Sequence, residues 1–500
     1  MSLTDFFERN SGNSTSGFSR RNLLFGFLIF LTRIPFIFAG PGTDEDAWGV
    51  TLTALKIFQT HSYEVSRFPG FPVHELISAA FIWGGPVMLN LLTALMSAVA
   101  ALMFVCALQE MHFRFPYLAG AAFAFTSIVL VHSSETIDYL WAMAFIMASF
   151  WMLLRNKTVL SALLLALAVG CRITSITMLL SFGVLLIDDG QNLRGNVRRI
   201  IRYALFTGLF SVIIYTPVLL KYGLSFFTFY DLSGYPSIPK VLYKISLGVW
   251  GITGLMALLF GTVALLFPPK HRTGKYLLPR TINEKHVISW LVATDMTILI
   301  FVRFPYEAGY LIPLIPFTIL VFGKYLYDKA FIYFCLLLIL SPFVIGISTG
   351  HRPDSPKPSA LSAHINVFSF DVNLDFLYGQ IFTEQKSRRQ TKAFADDVVE
   401  ESKYLSDSSL VLCGWWYNKV RYEFEQLPPR EKNTKVTWAH YLDKDQLITY
   451  IQSRYNIFYL PLQDSLEKTM YGVDIKYFGA VPLFTSADEE EFPEDSESEP

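Results

Sequence analysis

Residues 87–109 read VMLNLLTALMSAVAALMFVCALQ, a stretch without a single charged side chain. A helix needs about 20 apolar residues to cross ~30 Å of hydrocarbon, and this run supplies them. Working outward, comparable runs recur at 22–40, 117–132, 138–154, 158–171, 173–187, 203–220, 241–267, 285–302, 308–325 and 330–348. Together they predict about eleven transmembrane helices, some short enough that their ends are set by tilt and flanking residues. The composition agrees, with 52% hydrophobic and 17% charged residues, well away from soluble globular usage. After about Gly350 the runs stop. The expected fold is therefore an α-helical polytopic membrane protein with a small C-terminal α/β domain.

The loops set an orientation. With the N-terminus inside, inner segments hold Arg20, Arg21, Arg114, Arg155, Lys157, Arg194, Arg198, Arg199, Arg202, Lys285, Lys324 and Lys329 among others, while outer loops hold only Lys56, Arg67, Arg172, Lys221, Lys240 and Arg303. This is the positive-inside pattern, and it survives the alternation if Phe71 to Trp83, which carries His74 and Glu75, lies at the outer interface. The division that follows is a cytoplasmic segment 1–21, a membrane domain 22–350 with outer interfacial helices at about 44–84, an extracytoplasmic α/β domain 351–485, and an acidic tail 486–500 without periodicity. The first run follows Arg20 and Arg21 and ends in Phe38-Ala39-Gly40-Pro41, which lacks the small-residue pattern of a cleavage site, so an uncleaved signal anchor in a cell inner membrane is expected.

A net charge of −1 gives no basic field for nucleic acid. Of the four cysteines, Cys106, Cys171 and Cys335 lie in apolar runs and Cys413 in the soluble region, with no CxxC spacing for a metal or a redox pair.

The outer loops carry the chemistry. Pro41-Gly42-Thr43-Asp44-Glu45-Asp46-Ala47-Trp48 resembles a capping box at Thr43 and Asp46. Its acids either complement a helix dipole, or supply a general base or a divalent-cation site. The loop continues to Arg67-Phe68-Pro69-Gly70-Phe71-Pro72, where prolines and a glycine fix a turn that presents an arginine at headgroup level, either to fork onto a phosphate or to snorkel. Asp138 follows His132 and Glu135 on the same side. Arg172 lies between two apolar runs, and Arg303, Glu307 and Tyr310 precede Pro313 and Pro316 in a late helix whose prolines imply a cavity or a bundle contact.

In this order of parts the chain resembles the GT-C glycosyltransferases of the protein O-mannosyltransferase, aminoarabinose-transferase and family 39 kind, over about residues 20–350. The resemblance implies a polyprenyl-phosphate sugar donor, inversion at the sugar carbon, and a first-loop acid as base, with Asp44 the best match and Glu45 and Asp46 behind it. It departs from that pattern in its three consecutive acids and in the spacing of Arg303 and Glu307. On this reading Arg67, Arg172 and Arg303 hold the donor phosphate, and Asp138, His74, Glu307 and Tyr310 support it. The acceptor is a protein, lipid or glycan hydroxyl on the extracytoplasmic face. A multi-pass transporter and a non-catalytic membrane scaffold are the alternatives; a transporter tends to place its charges near the midplane, whereas these cluster at one surface.

In the C-terminal region a helix from Thr383 to Tyr404, apolar runs at Leu410–Cys413, Lys435–Tyr441 and Ile457–Pro461, and a helix capped by Asp443 suggest a small, partly parallel sheet. Trp415, Trp416 and Tyr417 either stack on a glycan or fill a core.

Overall fold

Ser19 starts the first described helix, Arg20–Leu31, by accepting from the Asn22 amide at 3.3 Å. The computed structural model describes residues 19–188, 190–227, 235–267, 277–279, 282–349, 362–367, 370–406, 408–413, 416–428, 434–437, 444–460 and 479–483. The readings of the first 18 residues, of Trp415 and Asp443, and of the acidic tail lie outside these. The chain forms two compact units. One comprises Met1–Phe38, Thr53–Ile345 and Gly379–Ile381, and the other Ala39–Leu52, Gly346–Tyr378 and Phe382–Pro500.

The first unit is a helix bundle. Among the described residues, four helical stretches are long and apolar enough to cross a membrane: Pro72–Glu110, Ile238–Leu266, Glu284–Arg303 and Ala308–Tyr325. The pair Leu193–Ile214 and Thr216–Tyr222 passes the same test together, bent by 55°, and Tyr139–Leu154, Thr158–Cys171 and Ile173–Leu185 are shorter apolar helices. Leu205, Leu209, Leu259 and Val263 on these helices, and Leu23 and Phe27 on Arg20–Leu31, are exposed, as expected of side chains that face lipid and not water. The protein is a helical membrane protein.

With no hydrophobic force between helices in lipid, association relies on close packing and polar side chains. Ser149 and Ser161 exchange hydroxyl-to-carbonyl bonds at 2.8 and 2.9 Å between Tyr139–Leu154 and Thr158–Cys171. Ser181 and Ser289 do the same at 2.9 Å each between Met178–Leu185 and Glu284–Arg303. Asn22, fully buried, trades bonds with the Gln109 amide at 2.8 and 2.9 Å. Asp295 sits on the exposed side of Glu284–Arg303 together with Leu291, Leu299 and Val302.

Several apolar runs are bent helices. The run at 117–132 is two helices, Pro116–Ala124 and Ser127–His132; the Ser127 amide freed at the break donates to Ser341 Oγ at 3.0 Å. Gly251, with φ of +64°, kinks Val249–Leu266, and the carbonyl of Ser341 lies 3.2 Å from where a Cβ would stand. Pro72–Phe81 continues through a 3₁₀ turn into Gly85–Glu110, whose 26 residues suffice to cross the bilayer at ~1.5 Å each.

The second unit contains a four-stranded sheet in the order β5-β4-β6-β7, formed by β4 (Ser409–Leu412), β5 (Lys435–Thr437), β6 (Asn456–Tyr459) and β7 (Val481–Pro482). All three pairings are parallel, with Leu410 opposite both Lys435 and Ile457. Parallel neighbours need crossovers, and the helices Tyr417–Glu425 and Lys444–Gln452 lie between successive strands. β4 is buried at every position, as a central strand covered on both faces must be. β1 (Ile345–Thr349), β2 (Ser362–Val367) and β3 (Phe370–Phe376) form a three-stranded sheet in the order β1-β3-β2. The segment Ala39–Leu52 belongs to this unit: Trp48 is buried, donates to the Gly42 carbonyl at 2.9 Å and meets the Tyr422 ring edge-on at 6.0 Å. The buried Arg388 of helix Gln380–Ser402 donates to the Gly40 carbonyl.

Candidate functional site

Asp138 precedes helix Tyr139–Leu154 and is fully buried in the first unit. Its Oδ1 accepts from Arg67 Nη2 at 2.9 Å and its Oδ2 from Arg172 Nη1 at 2.6 Å. The guanidiniums of Arg172 and Arg67 thus flank the buried carboxyl, one on each oxygen. Among the described residues the cluster counts two cations and one anion.

Each arginine is held on an aromatic face. Arg172, at the C-terminal end of helix Thr158–Cys171, lies 4.4 Å from the Tyr139 ring centre and 4.3 Å from that of Tyr310. Arg67 lies 4.3 Å from the Phe71 ring. Such contacts fix a guanidinium without neutralising it. Gly309 lets Tyr139 close in, since a Cβ there would run into the ring.

A second carboxylate holds the Arg67 loop. Glu75 is buried and accepts from Tyr63 Oη at 2.5 Å, Ser66 N at 2.6 Å, Ser66 Oγ at 2.7 Å and Phe71 N at 3.0 Å. Its carboxylate thus ties both sides of the turn carrying Arg67. The turn includes a cis Phe68–Pro69 bond, and Gly70 at φ +92° is packed so closely that a Cβ would meet Val65 at 2.8 Å.

A cleft of about 390 Å³, measured with its open mouth, adjoins the arginine cluster. Arg172, Tyr139 and Tyr310 line it with the hydroxyl-bearing Thr174, Ser175, Thr177 and Thr297 and the apolar Ile146, Met178, Ile300 and Pro313. A cation, aromatic faces and hydroxyls beside an apolar wall suit an amphiphile with an anionic, hydroxyl-rich head.

The structure brings Arg67, Arg172, Asp138 and Tyr310 together. His74 is buried nearby, edge-on to Trp141 at 5.0 Å. Arg303 stands apart: it ends helix Glu284–Arg303, is exposed, and its guanidinium lies 5.0 Å from the Phe304 ring with no ion pair among the described residues. Glu307 pairs with Lys244 at 3.7 Å. Tyr63, Tyr139 and Lys244 are not among the site residues read from the sequence, and Glu75 enters there only as a charge that keeps Phe71–Trp83 at the interface. A carboxylate inside the apolar stretch Phe71–Trp83 was the available signal for Glu75.

The three acids of the first loop belong to the second unit. Asp44, not Thr43, caps helix Glu45–Thr60: its Oδ1 accepts from the Asp46 amide at 3.0 Å, while Thr43 Oγ1 donates to Glu384 Oε1 at 2.6 Å. The cap sits one residue later than the Thr43/Asp46 spacing suggests, because Thr43 is drawn to Glu384. Glu45 accepts from the Asn418 amide at 2.9 Å and lies 3.8 Å from Lys419, at the start of helix Tyr417–Glu425. Burial pushes its carboxyl up to about 8, opposed by Lys419 and the Asn418 amide. Trp416 packs on Phe394 at 4.3 Å, with the Lys419 ammonium 4.4 Å from its ring centre, at the edge of a hydrophobic cluster. Among the described residues no group of three or more His, Cys, Asp or Glu side chains is placed to hold a metal ion.

No family model matches the chain, and no curated protein matches it. Among solved structures it is similar to an oligosaccharyltransferase from Archaeoglobus fulgidus, crystallised with a tethered acceptor peptide containing the NVT sequon, at 10% identity and a TM-score of 0.43. The likeness covers 84% of this chain and 64% of that one, so the chain spans less than two thirds of that protein's length. At that identity and score it carries no argument about activity, substrate or partner.

Proposed function

We propose that this protein is a membrane glycosyltransferase that moves a sugar from a polyprenyl-phosphate donor to an acceptor hydroxyl on the extracytoplasmic face of the membrane. The observation that carries the reading is the buried carboxylate of Asp138 gripping both Arg67 and Arg172, with Arg172 walled by Tyr139 and Tyr310 at a hydroxyl-lined cleft. A lipid-linked sugar phosphate must keep its tail in hydrocarbon while its phosphate meets fixed cations at headgroup level, and a preorganised pair of guanidiniums is suited to the charge that develops there.

In the proposed reaction the acceptor hydroxyl attacks the anomeric carbon and its proton passes to a carboxylate. The carbon–oxygen bond to phosphate breaks with inversion, and the phosphate leaves as an anion held by Arg172 and Arg67. Because the leaving group is already an acidic phosphate, no strong general acid is required. By the resemblance Asp44 is the proposed base, with Glu45 and Asp46 behind it; Glu45 is engaged with Asn418 and Lys419. The acceptor is a protein, lipid or glycan. Polyprenyl phosphate and membrane lipid are its other partners, and no metal is assigned.

Purified full-length wild type, Asp44→Asn and Arg172→Gln would be assayed for sugar release from a panel of polyprenyl-phosphate sugars, with membrane extract supplying acceptors. Loss of a general base should lower kcat by about 10²–10⁴-fold in Asp44→Asn. Arg172→Gln should weaken donor use by at least about tenfold, one lost charge-assisted contact. Transfer unchanged in Asp44→Asn would keep the class and remove the base. If wild type turns over no donor yet moves a solute into liposomes, the transporter reading replaces this one.

A further inference from the structure

Helix Thr158–Cys171 has Arg172 at one end and, 14 residues away at about 1.5 Å each, Thr158 at the other. Thr158 lines a second, shallow cleft, of about 240 Å³ with its open mouth, together with Leu186, Arg199, Arg202, Tyr203 and Phe206. It therefore lies ~20 Å along the helix from the arginine cluster of the candidate site. From this cleft the geometry points to a binding site for the phosphate of an anionic membrane phospholipid, with Arg199 and Arg202 as its cations.

Charge and hydrophobicity change together at this point of helix Leu193–Ile214. Its first ten residues contain Arg194, Arg198, Arg199 and Arg202, whereas the rest of the helix carries no charge. Leu193, Val197, Ile201, Leu205 and Leu209 are exposed along its length. A helix that exposes leucines beyond a band of arginines presents those arginines at the edge of the hydrocarbon, where lipid phosphates lie.

The arginines are also poorly neutralised. Arg199 reaches Asp188 at 3.2 Å, and among the described residues Arg194, Arg198 and Arg202 have no ion-pair partner. The adjoining loop offers only Asp188 and Asp189 against the four arginines. Arg199 and Arg202 stand three positions apart on one face of the helix, so an anion between them relieves their mutual repulsion. On the facing side the cleft includes the first residue of Thr158–Cys171, whose opening amides have no partner within their helix.

Packing gives the site a floor. Tyr203 is buried and its hydroxyl lies 3.0 Å from Ser161 Oγ and 3.4 Å from Ser149 Oγ, which engages the Tyr203 oxygen within the bundle. Phe206, half-buried over the buried Leu186, then presents apolar surface to an acyl chain. Two guanidiniums, a threonine and apolar walls fit a diacylglycerol phosphate better than a free anion, which would leave the apolar walls to water. The inference is independent of the proposed reaction, because it uses none of the residues assigned to it.

The test titrates full-length protein in detergent with phosphatidylglycerol or phosphatidylcholine and counts bound lipid by native mass spectrometry. Wild type is expected to prefer phosphatidylglycerol, and Arg199→Gln with Arg202→Gln to lose that preference by roughly 30-fold. Arg199→Lys with Arg202→Lys should keep most of it. The single change Arg202→Gln, at an exposed position, should cost about fivefold and serves if the double variant does not fold. Equal binding of the two lipids by wild type, or a preference that survives the glutamine changes, would overturn the inference. So would displacement of phosphatidylglycerol by glycerol phosphate at matched concentration, which would show that a free phosphate suffices.

Discussion

Glu75 is a buried carboxylate and Glu45 a half-buried one, and their surroundings give them opposite characters. Glu75 satisfies two main-chain amides and two hydroxyls of the turn that carries Arg67. Removing it leaves those donors buried without an acceptor, at ~1–3 kcal/mol each. Glu75→Ala is expected to lower stability by at least ~3 kcal/mol. The half-buried Glu64, paired with Lys221 at 3.5 Å, should cost under ~1 kcal/mol when changed to Ala. Thermal unfolding of the two purified variants compares them directly, and equal losses would mean that the Glu75 clamp is not holding the turn. Glu45 behaves differently because burial lifts its carboxyl from 4.5 to about 8. Between those values the folded chain keeps a proton that the unfolded chain has released. Stability of the second unit therefore falls as pH rises through that window and levels off above it, by up to a few kcal/mol. Glu45→Gln should flatten the profile and stand above wild type at about pH 9 in unfolding midpoint. Parallel wild-type and variant profiles would show that Glu45 is ionised throughout.

At the scale of elements, the short 3₁₀ turn Ala308–Leu311 matters because Gly309 lies against Tyr139, and Tyr139 lies against Arg172. Gly309→Ala adds a methyl group into the ring without backbone strain, since its φ is ordinary. A cost of ~1–3 kcal/mol is expected, together with weaker donor use as Tyr139 is pushed off the guanidinium. Gly208, inside helix Leu193–Ile214, has nothing within 4 Å of a Cβ, so Gly208→Ala should be neutral or stabilising by up to ~1 kcal/mol. Similar midpoints for the two variants would remove the packing argument. The elements also show where sequence reading reached and where it stopped. Apolar runs located the helical stretches because hydropathy counts side chains. It does not register φ, so the breaks at Phe125–Thr126 and Gly251 were invisible to it. Arg67, Arg172, Asp138 and Tyr310 were legible as charged or aromatic residues at run ends, whereas Tyr139 was hidden as the first residue of an apolar run. The Thr43/Asp46 spacing misled because the competing acceptor, Glu384, lies 341 positions away in sequence.

For the whole molecule, the distribution of arginine and lysine makes a claim about sidedness. Lys285 and Arg303 bracket the helix Glu284–Arg303. Cys106, Cys171, Cys335 and Cys413 are all buried, so a membrane-impermeant maleimide should report on introduced cysteines against a low background. Arg303→Cys in intact cells should label from outside and Lys285→Cys only after permeabilisation. Labelling of both from one side would mean that the helix does not cross.

That same helix carries Asp295 on its exposed side and Ser289 bonded to Ser181. To the insertion machinery a central aspartate costs ~3 kcal/mol, while each leucine or isoleucine returns only ~0.5 kcal/mol, so the segment is close to break-even as a free-standing span. Fused alone into an insertion reporter it should partition between the membrane and the lumen, and Asp295→Leu should send it fully into the membrane; complete insertion of the native segment would contradict this. Helix Met178–Leu185 is synthesised first and presents Ser181, the partner that Ser289 requires. Templated biogenesis is the expected consequence: a helix already lodged in the bilayer would recruit one that enters poorly by itself, and the order of translation would become part of the instructions for assembly.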